Sequence, residues 1–325
     1  MFVISFCEIH LACPAKLCIL VLKLWCSSCN LITKMYEDLA LIYVVGYSIV
    51  SILHLVGLLL LYKANSNLPN QRLLLMNLAS AEMLLCWSML TLFSIQFRAY
   101  NMLIVKCIDA FFNTLFFIEI RFTMLHIIFD RYIEIYTNIR YPLYMTNKKI
   151  LLVLLTHWSI SFLCATISFT LDVTDVFERP LQFTFFLCLV IDIVIFISSF
   201  STYMYFFKKV RRIRAMEVNV TDQQRESLIN LLIEKFKVPC LIVLTYLIFN
   251  LTSTIMLTSA QYVQSRKQAK VLMAFSQVPI LVGIISDLII YVLANGNVRR
   301  FICSKVRSYN LQLTRRPNDV TVSTA

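Results

Sequence analysis

The sequence is poor in the residues that shape a soluble protein. Its 325 residues include only 4 glycines and 7 prolines, and 15% of the residues are charged, where soluble globular proteins carry about 25%. The scarcity of glycine and proline argues against a fold rich in turns. Hydrophobic residues make up 59% of the chain, which is more apolar surface than a soluble core needs. We therefore expect the chain to lie in a lipid bilayer.

Patterns that carry catalysis, metal binding or nucleic-acid binding are also scarce. The four histidines lie on separate segments, and neither an HExxH pattern nor a nucleophile elbow occurs. The eleven cysteines provide a single CxxC, Cys26 to Cys29, which without a second pair is weak evidence for a zinc or redox site. The net charge of +12 comes from short basic blocks between apolar runs, not from one long basic stretch. We predict no enzyme activity, no cofactor, no metal and no nucleic-acid partner.

Seven long apolar runs are present. A helix that crosses the hydrocarbon core needs about 20 apolar residues, and each run must be helical because lipid cannot hydrogen-bond to open backbone groups. We name the runs spans one to seven: 39–62, 73–95, 105–129, 150–170, 181–207, 238–260 and 271–294. The sequence thus predicts an all-α membrane protein, a bundle of seven transmembrane helices.

The chain divides by composition into three segments. Residues 1–38 are apolar and rich in cysteine, 39–295 form the seven-helix domain, and 296–325 form the tail. For residues 1–34 a signal sequence, an extra span and an upstream extension before Met35 all remain open. In the tail, apolar and basic residues alternate at helical spacing, which predicts a short amphipathic helix on the membrane surface. Cys303 in this helix is a candidate for lipidation.

The segment before span six has a helical pattern of its own. Residues 221–224 read Thr-Asp-Gln-Gln, which fits a capping box. Leu228, Leu231, Leu232 and Phe236 follow at helical spacing. The helix of span six is therefore expected to begin near residue 222, outside the membrane.

The basic residues between the spans indicate an orientation. If span one starts outside, the inner segments hold twenty Lys and Arg residues and the outer loops hold six. Because inner loops are enriched in Lys and Arg, the C-terminus is expected in the cytoplasm.

Several motifs resemble those of the rhodopsin-like (class A) G-protein-coupled receptors, over about residues 40–310. Asp130-Arg131-Tyr132 ends span three and is followed by Arg140-Tyr141-Pro142-Leu143. Span two carries Asn77-Leu-Ala-Ser-Ala-Glu82, similar to the family's Asn-Leu-Ala-x-Ala-Asp. Span seven carries Asp287-Leu-Ile-Ile-Tyr291, similar to Asn/Asp-Pro-x-x-Tyr without the proline, and Trp158 and Tyr203 match further family positions.

The chain also departs from the family pattern. His54 stands where Asn is usual in span one, and span six reads Phe249-Asn250-Leu-Thr252 in place of Cys-Trp-x-Pro. Span five has no proline, and the loop at about 171–180 has no cysteine that could pair with Cys107. The short loop, the missing disulfide and the missing proline resemble the melanocortin, adenosine and cannabinoid receptors, and residues 130–146 lean toward the melanocortin receptors.

The resemblance implies a switch at the inner end of span three. Arg131 would pair with Asp130 at rest and contact the G protein once span six swings outward. Tyr132, Tyr203 and Tyr291 would take part in the same coupling machinery. The plain alternative is that Arg131 extends toward lipid phosphates.

Acids inside the spans form a second group of candidates. Glu82 and Asp287 are costly in lipid and such residues are usually functional. The resemblance implies a sodium ion between them, whereas Ile120 stands where a serine ligand is expected. A protonated carboxyl that bridges helices is the alternative, and both readings stay open.

The positions that bind the ligand in known receptors of the family have the fewest matches in this sequence. Asn113 occupies the place of the aspartate that amine receptors use, and Leu281 that of the lysine of opsins. Asp109, Asn113 and Asn250 are the candidate pocket residues, and the extracellular ligand is of unknown type.

Arg121 is an unexpected cation near the membrane middle. It lies ten residues before Arg131, which is about 15 Å along the helix, and an unpaired Arg there costs at least roughly 3 kcal/mol. An acid must therefore face it. Asp192 is the first candidate, and Glu82 and Asp287 are the second, while Glu119 points in a different direction.

These features together lead to one expected function and one alternative. The chain is expected to bind an extracellular ligand and to activate a heterotrimeric G protein by a rearrangement of helices. The alternative is a non-signalling seven-helix scaffold or partner of other receptors, which the altered motifs of spans five to seven favour.

An epitope placed after Ala325 tests the orientation. The basic loops hold that end of the chain in the cytoplasm, so antibody is expected to reach the epitope only in permeabilised cells. Immunofluorescence with and without detergent measures this, and staining of intact cells would contradict it.

Overall fold

The structure is a computed structural model that describes residues 29–63, 69–97, 108–137, 141–173, 182–215, 222–263, 265–294, 298–305 and 307. The chain divides into two compact units, residues 1–43 and 44–325. Of the first unit, the described residues 29–43 form the beginning of the span-one helix. The second unit contains all that follows. The predicted boundary between residues 38 and 39 is not tested by this division.

Within these described ranges, seven helices are long and apolar enough to cross a membrane, as predicted. Spans one to four belong to the helices Cys29–Lys63, Pro69–Phe97, Thr114–Thr137 and Asn147–Val173. Spans five to seven belong to Gln182–Arg214, Asp222–Tyr262 and Arg266–Ile289. A short helix, Tyr141–Tyr144, follows span three. The described residues contain helices and no strand, so the expected all-α class is confirmed.

Span three is the central helix of the bundle. In its most apolar stretch 78% of the residues are buried, against 22–56% in the other spans. A π-helical turn, Ile108–Asn113, leads into it, and a second one, Ile290–Ala294, ends span seven. Because π-turns inside helices often mark functional positions, the location of Asp109 and Tyr291 in these turns is notable. The side chains of span three are thus surrounded by the other helices.

The helices of spans five and six continue well beyond the apolar runs. Span six begins at Asp222, as predicted, and stays helical through Pro239. Residue 221, the expected cap, lies outside the described residues. The two extensions pack through an apolar cluster that we name the Phe236 cluster: Ile135, Phe206, Val210, Ile213, Ile229 and Phe236. We refer to this end of the bundle, which also carries Arg131 and the cations of span five, as the basic end.

A short helix follows span seven at residues 298–305, as expected from its spacing. Val298 is buried and Phe301 is half-buried, whereas Arg299 and Arg300 are exposed. This is the distribution that an amphipathic helix shows. Cys303 is exposed on it, and its lipidation stays a prediction.

Candidate functional site

Arg121 and Asp192 form an ion pair between spans three and five. The Nη2 atom of Arg121 donates to Oδ2 of Asp192 at 3.1 Å, and its Nε atom lies 3.0 Å from Oδ1. Arg121 and Asp192 are 3% and 0% exposed. The first of the three acids that the sequence offered is therefore the one in contact.

Span six joins the same pair through two hydroxyl groups. The hydroxyl of Tyr246 donates to Oδ1 of Asp192, and Nη2 of Arg121 donates to the hydroxyl of Thr254 at 2.7 Å. The Nη1 atom of Arg121 donates to the backbone carbonyl of Phe117 at 2.9 Å. We name Arg121, Asp192, Tyr246 and Thr254 the Arg121 cluster. It connects three helices at the depth where lipid offers no polar partner.

The contribution of span six was not predicted, although the sequence of span six carries a signal for it. Tyr246, Asn250 and Thr254 are spaced by four residues and so lie on one face of the helix. Polar residues at this spacing inside an apolar span indicate a face turned toward polar groups of the bundle. The identity of the partner required the packing of spans three and five.

A small cavity, with room for about one water molecule, lies beside the Arg121 cluster. It extends from Arg121 away from Arg131, between spans three, five, six and seven, and is lined by Phe117, Arg121, Phe185, Cys188, Asn250, Ser253, Thr254, Leu257 and Ile280. Its walls are mainly apolar, with a polar floor formed by the cluster. Of the three candidate pocket residues, Asn250 lies in this lining.

The other two candidate pocket residues are placed differently. Asn113 is buried and accepts a hydrogen bond at 2.6 Å from Ser88 of span two, so it links two helices and is not among the residues that line the cavity. Asp109 lies in the π-helical turn before span three, and its side chain is outside the described residues.

Arg131 is held by acids of its own helix. Its guanidinium contacts the carboxylates of Asp130 and Glu134, and Tyr141 donates a hydrogen bond to Asp130. Asp130 and Arg131 are 0% and 3% exposed. The expected pair with Asp130 is thus present, and Glu134 and Tyr141 complete it. Tyr132 points elsewhere, toward Tyr136 and Tyr205.

Spans five and six close over Arg131. A narrow cavity lined by residues of spans three, five and six, including Arg131, Tyr203 and Phe236, lies at the edge of the Phe236 cluster. In the cluster the rings of Phe206 and Phe236 stack with centroids 4.5 Å apart. The hydroxyl of Tyr203 donates to the backbone carbonyl of Cys240 at 3.2 Å. Among the described residues, the acids that contact Arg131 all lie on span three.

A third group joins spans one, two, six and seven. His54 Nε2 lies 3.1 Å from Oε2 of Glu82, and the hydroxyl of Tyr291 donates to the same oxygen at 3.2 Å. Thr245 donates to Oδ1 of Asp287 at 2.6 Å. His54, Glu82, Asp287 and Tyr291, predicted from separate motifs, are therefore close together, and Thr245 was missed.

The donor set of this group does not fit the sodium ion that the resemblance implies. Hard cations are held by several oxygen ligands, but Oε2 of Glu82 is engaged by an imidazole and a phenol. The carboxyl groups of Glu82 and Asp287 also hydrogen-bond to each other, which requires a proton between them. Ile120 is buried and apolar. The arrangement favours a hydrogen-bonded carboxyl network that bridges the helices.

Glu119 forms a network on the opposite side of span three from Arg121. It is 0% exposed and accepts hydrogen bonds from Asn77 at 2.9 Å, Ser161 at 3.1 Å and Thr123 at 3.2 Å. The indole of Trp158 donates to Asn77 at 2.9 Å. The sequence correctly separated Glu119 from Arg121 but did not predict that spans two, three and four meet at this carboxyl.

Neither a metal-binding arrangement among the described residues nor a match to a known protein adds to these four polar groups. Within the described residues, no set of three or more His, Cys, Asp or Glu side chains is placed to hold a metal ion. Searches of family models and of curated proteins find no match to this chain. Any function must therefore be argued from the site itself.

A double-mutant cycle on Arg121 and Asp192 tests the energetic link between them. Arg121→Leu and Asp192→Leu are each expected to lower stability by about 3–5 kcal/mol, because each leaves a buried charge without its partner. The double variant is expected to recover part of that loss. Thermal unfolding of the detergent-purified protein and surface expression in cells measure this.

The matched control for the cycle uses a neighbouring acid. Glu119→Leu combined with Arg121→Leu is expected to show additive losses, because the Glu119 side chain contacts a different set of residues. Additive losses for Arg121 and Asp192 themselves would contradict an energetic coupling of the pair.

Proposed function

We propose that the chain is a G-protein-coupled receptor of the plasma membrane, with its C-terminus in the cytoplasm. It would bind an extracellular ligand and activate a heterotrimeric G protein. The observation that carries the proposal is the arrangement around Arg131: a buried arginine at the basic end, paired with acids of its own helix and covered by span six.

This arrangement is suited to a conformational switch. An outward movement of span six would separate Phe206 from Phe236 and expose Arg131. No ion pair between spans three and six among the described residues would have to break, because the acids on Arg131 lie on span three. The resting state is then held mainly by apolar contacts, and its population can be shifted by modest differences in binding free energy.

The Arg121 cluster connects the cavity with span six, the helix whose outward movement would expose Arg131. Thr254 both lines the cavity and accepts a hydrogen bond from Arg121, while Tyr246 lies two turns along span six toward the basic end and donates to Asp192. A ligand that displaced Thr254 would change the position of span six relative to spans three and five. The cluster stands where family members have their proline-based switch, and we propose that it replaces it.

The second candidate is a seven-helix scaffold that does not signal. The size of the cavity favours it, because the cavity has room for about one water molecule, far less than the roughly 300–1,000 Å³ of typical ligand pockets. A receptor would have to enlarge this cavity on binding, whereas a scaffold would not. The two candidates differ in whether the basic end ever opens.

Substitutions at Arg131 and Glu134 should move signalling in opposite directions. Arg131→Ala is expected to abolish G-protein activation because it removes the group that would insert into the partner. Glu134→Gln is expected to raise basal activation several-fold because it removes one of the two charges that hold Arg131. Nucleotide exchange on a panel of purified G proteins measures both.

Surface expression of the two variants provides the control. Because Arg131→Ala leaves the buried Asp130 without its ion-pair partner, exchange rates are compared at equal surface levels of the natural chain and the two variants. Unchanged exchange rates for all the G proteins with the natural chain, Arg131→Ala and Glu134→Gln would favour the scaffold.

A further inference from the structure

Three tyrosines form an exposed aromatic cluster where spans three and five meet at the basic end. The rings of Tyr132 and Tyr136 stack with centroids 6.2 Å apart, and Tyr205 lies 5.5 Å from the first and 6.4 Å from the second. Tyr132 and Tyr136 are 36% and 66% exposed. None of the three hydroxyls has a hydrogen-bond partner within the described part of the chain. The cluster therefore presents unpaired polar groups toward the outside of the bundle.

Cations continue the same face of span five. Lys208, Lys209 and Arg212 lie three, four and seven residues after Tyr205 and so share its side of the helix. Lys209 reaches span three and donates to the backbone carbonyl of Ile135. This face of span five is therefore turned toward the contact between spans three and five at the basic end, which we name the seam. Lys208 and Arg212 are exposed, and the described residues include no acid paired with either.

Asp192, the acid of this helix, is paired with Arg121 and lies far along the chain from the cations. Five of them fall within residues 208–214, and no Asp or Glu occurs between Asp192 and Glu217. Tyrosine rings prefer the level of the lipid headgroups, and Arg212 lies about 10 Å further along the helix than Tyr205. Lys208 and Arg212 follow Tyr205 by one and two helical turns, and their long side chains can reach lipid phosphates at the membrane surface.

We propose that this seam binds the phosphorylated headgroup of an anionic membrane lipid, with a phosphoinositide as the best fit. The phosphates would be held by Lys208 and Arg212, which can donate charge-assisted hydrogen bonds, and the tyrosine hydroxyls would donate to the headgroup. The acyl chains would lie along the exposed apolar surface of span five. The site does not depend on the receptor function proposed above.

Binding of a fluorescent phosphatidylinositol bisphosphate to the full-length chain in mixed micelles tests the site. Fluorescence anisotropy measures its affinity, with unlabelled phosphatidylinositol bisphosphate, phosphatidylcholine and soluble inositol trisphosphate as competitors. The double variant K208Q/R212Q is expected to bind at least about tenfold more weakly, as the loss of two charges near an anionic lipid implies. Tyr136→Leu, which removes the most exposed ring of the cluster, is expected to weaken binding about threefold by the same arithmetic for a smaller contact.

The matched control is the double variant R211Q/R214Q on the same helix. It removes the same charge from exposed positions that lie away from the face of Tyr205, and it should change the affinity less than twofold. Equal weakening by the two double variants would overturn the proposal in favour of diffuse attraction to any basic surface. Competition by phosphatidylcholine equal to that by the phosphoinositide would overturn it in favour of an ordinary aromatic belt.

Two further measurements keep the test decisive. Soluble inositol trisphosphate that competes as well as the lipid would overturn the assignment to a membrane lipid. Thermal unfolding of each variant shows whether it is folded, and the single variant Lys208→Gln, expected to weaken binding about fivefold, replaces the double variant if the latter is not.

Discussion

A polar or charged group inside a bilayer must find its partner within the protein, and this constraint governs the arrangement of the seven helices. Arg121, Glu119 and Glu82 are each buried in apolar spans, and each is surrounded by polar groups from other helices. Apolar contacts alone would specify the bundle weakly, because lipid tails offer similar contacts to every helix. The polar groups give each helix a particular neighbour and a particular rotation.

The sequence was sufficient for the architecture because hydrophobic length and helix formation are linked in lipid. The seven spans, the early start of span six at residue 222 and the short helix after span seven all followed from local patterns. The boundaries differed where helices continue into water: spans three and five reach Thr137 and Arg214, beyond the ends of their apolar runs. Nothing in the apolar pattern marks where a helix stops once it has left the membrane.

The candidate site was predictable only in part, for a physical reason. The charge on Arg121 demanded an acid, and the resemblance to rhodopsin-like receptors, in which this position faces spans five and six, made Asp192 the first candidate. A neutral hydroxyl does not require a partner on another helix, since it can donate to a carbonyl of its own helix, as Thr254 and Thr245 do. The contacts of Tyr246, Thr254 and Thr245 with acids and with Arg121 could therefore not be predicted. Glu119 was noticed as an acid, but its partners Asn77 and Ser161 come from helices whose rotation the sequence does not specify.

The two polar groups on opposite sides of span three divide the bundle mechanically. Glu119 fastens span three to spans two and four through several hydrogen bonds, whereas the Arg121 cluster fastens it to spans five and six. Span three is thus joined to spans two and four by a network of hydrogen bonds, and to spans five and six by a cluster built around a single ion pair. Substitutions at the Glu119 network would lower the stability of the packing of spans two, three and four. Substitutions in the Arg121 cluster would instead change how easily spans five and six move relative to span three.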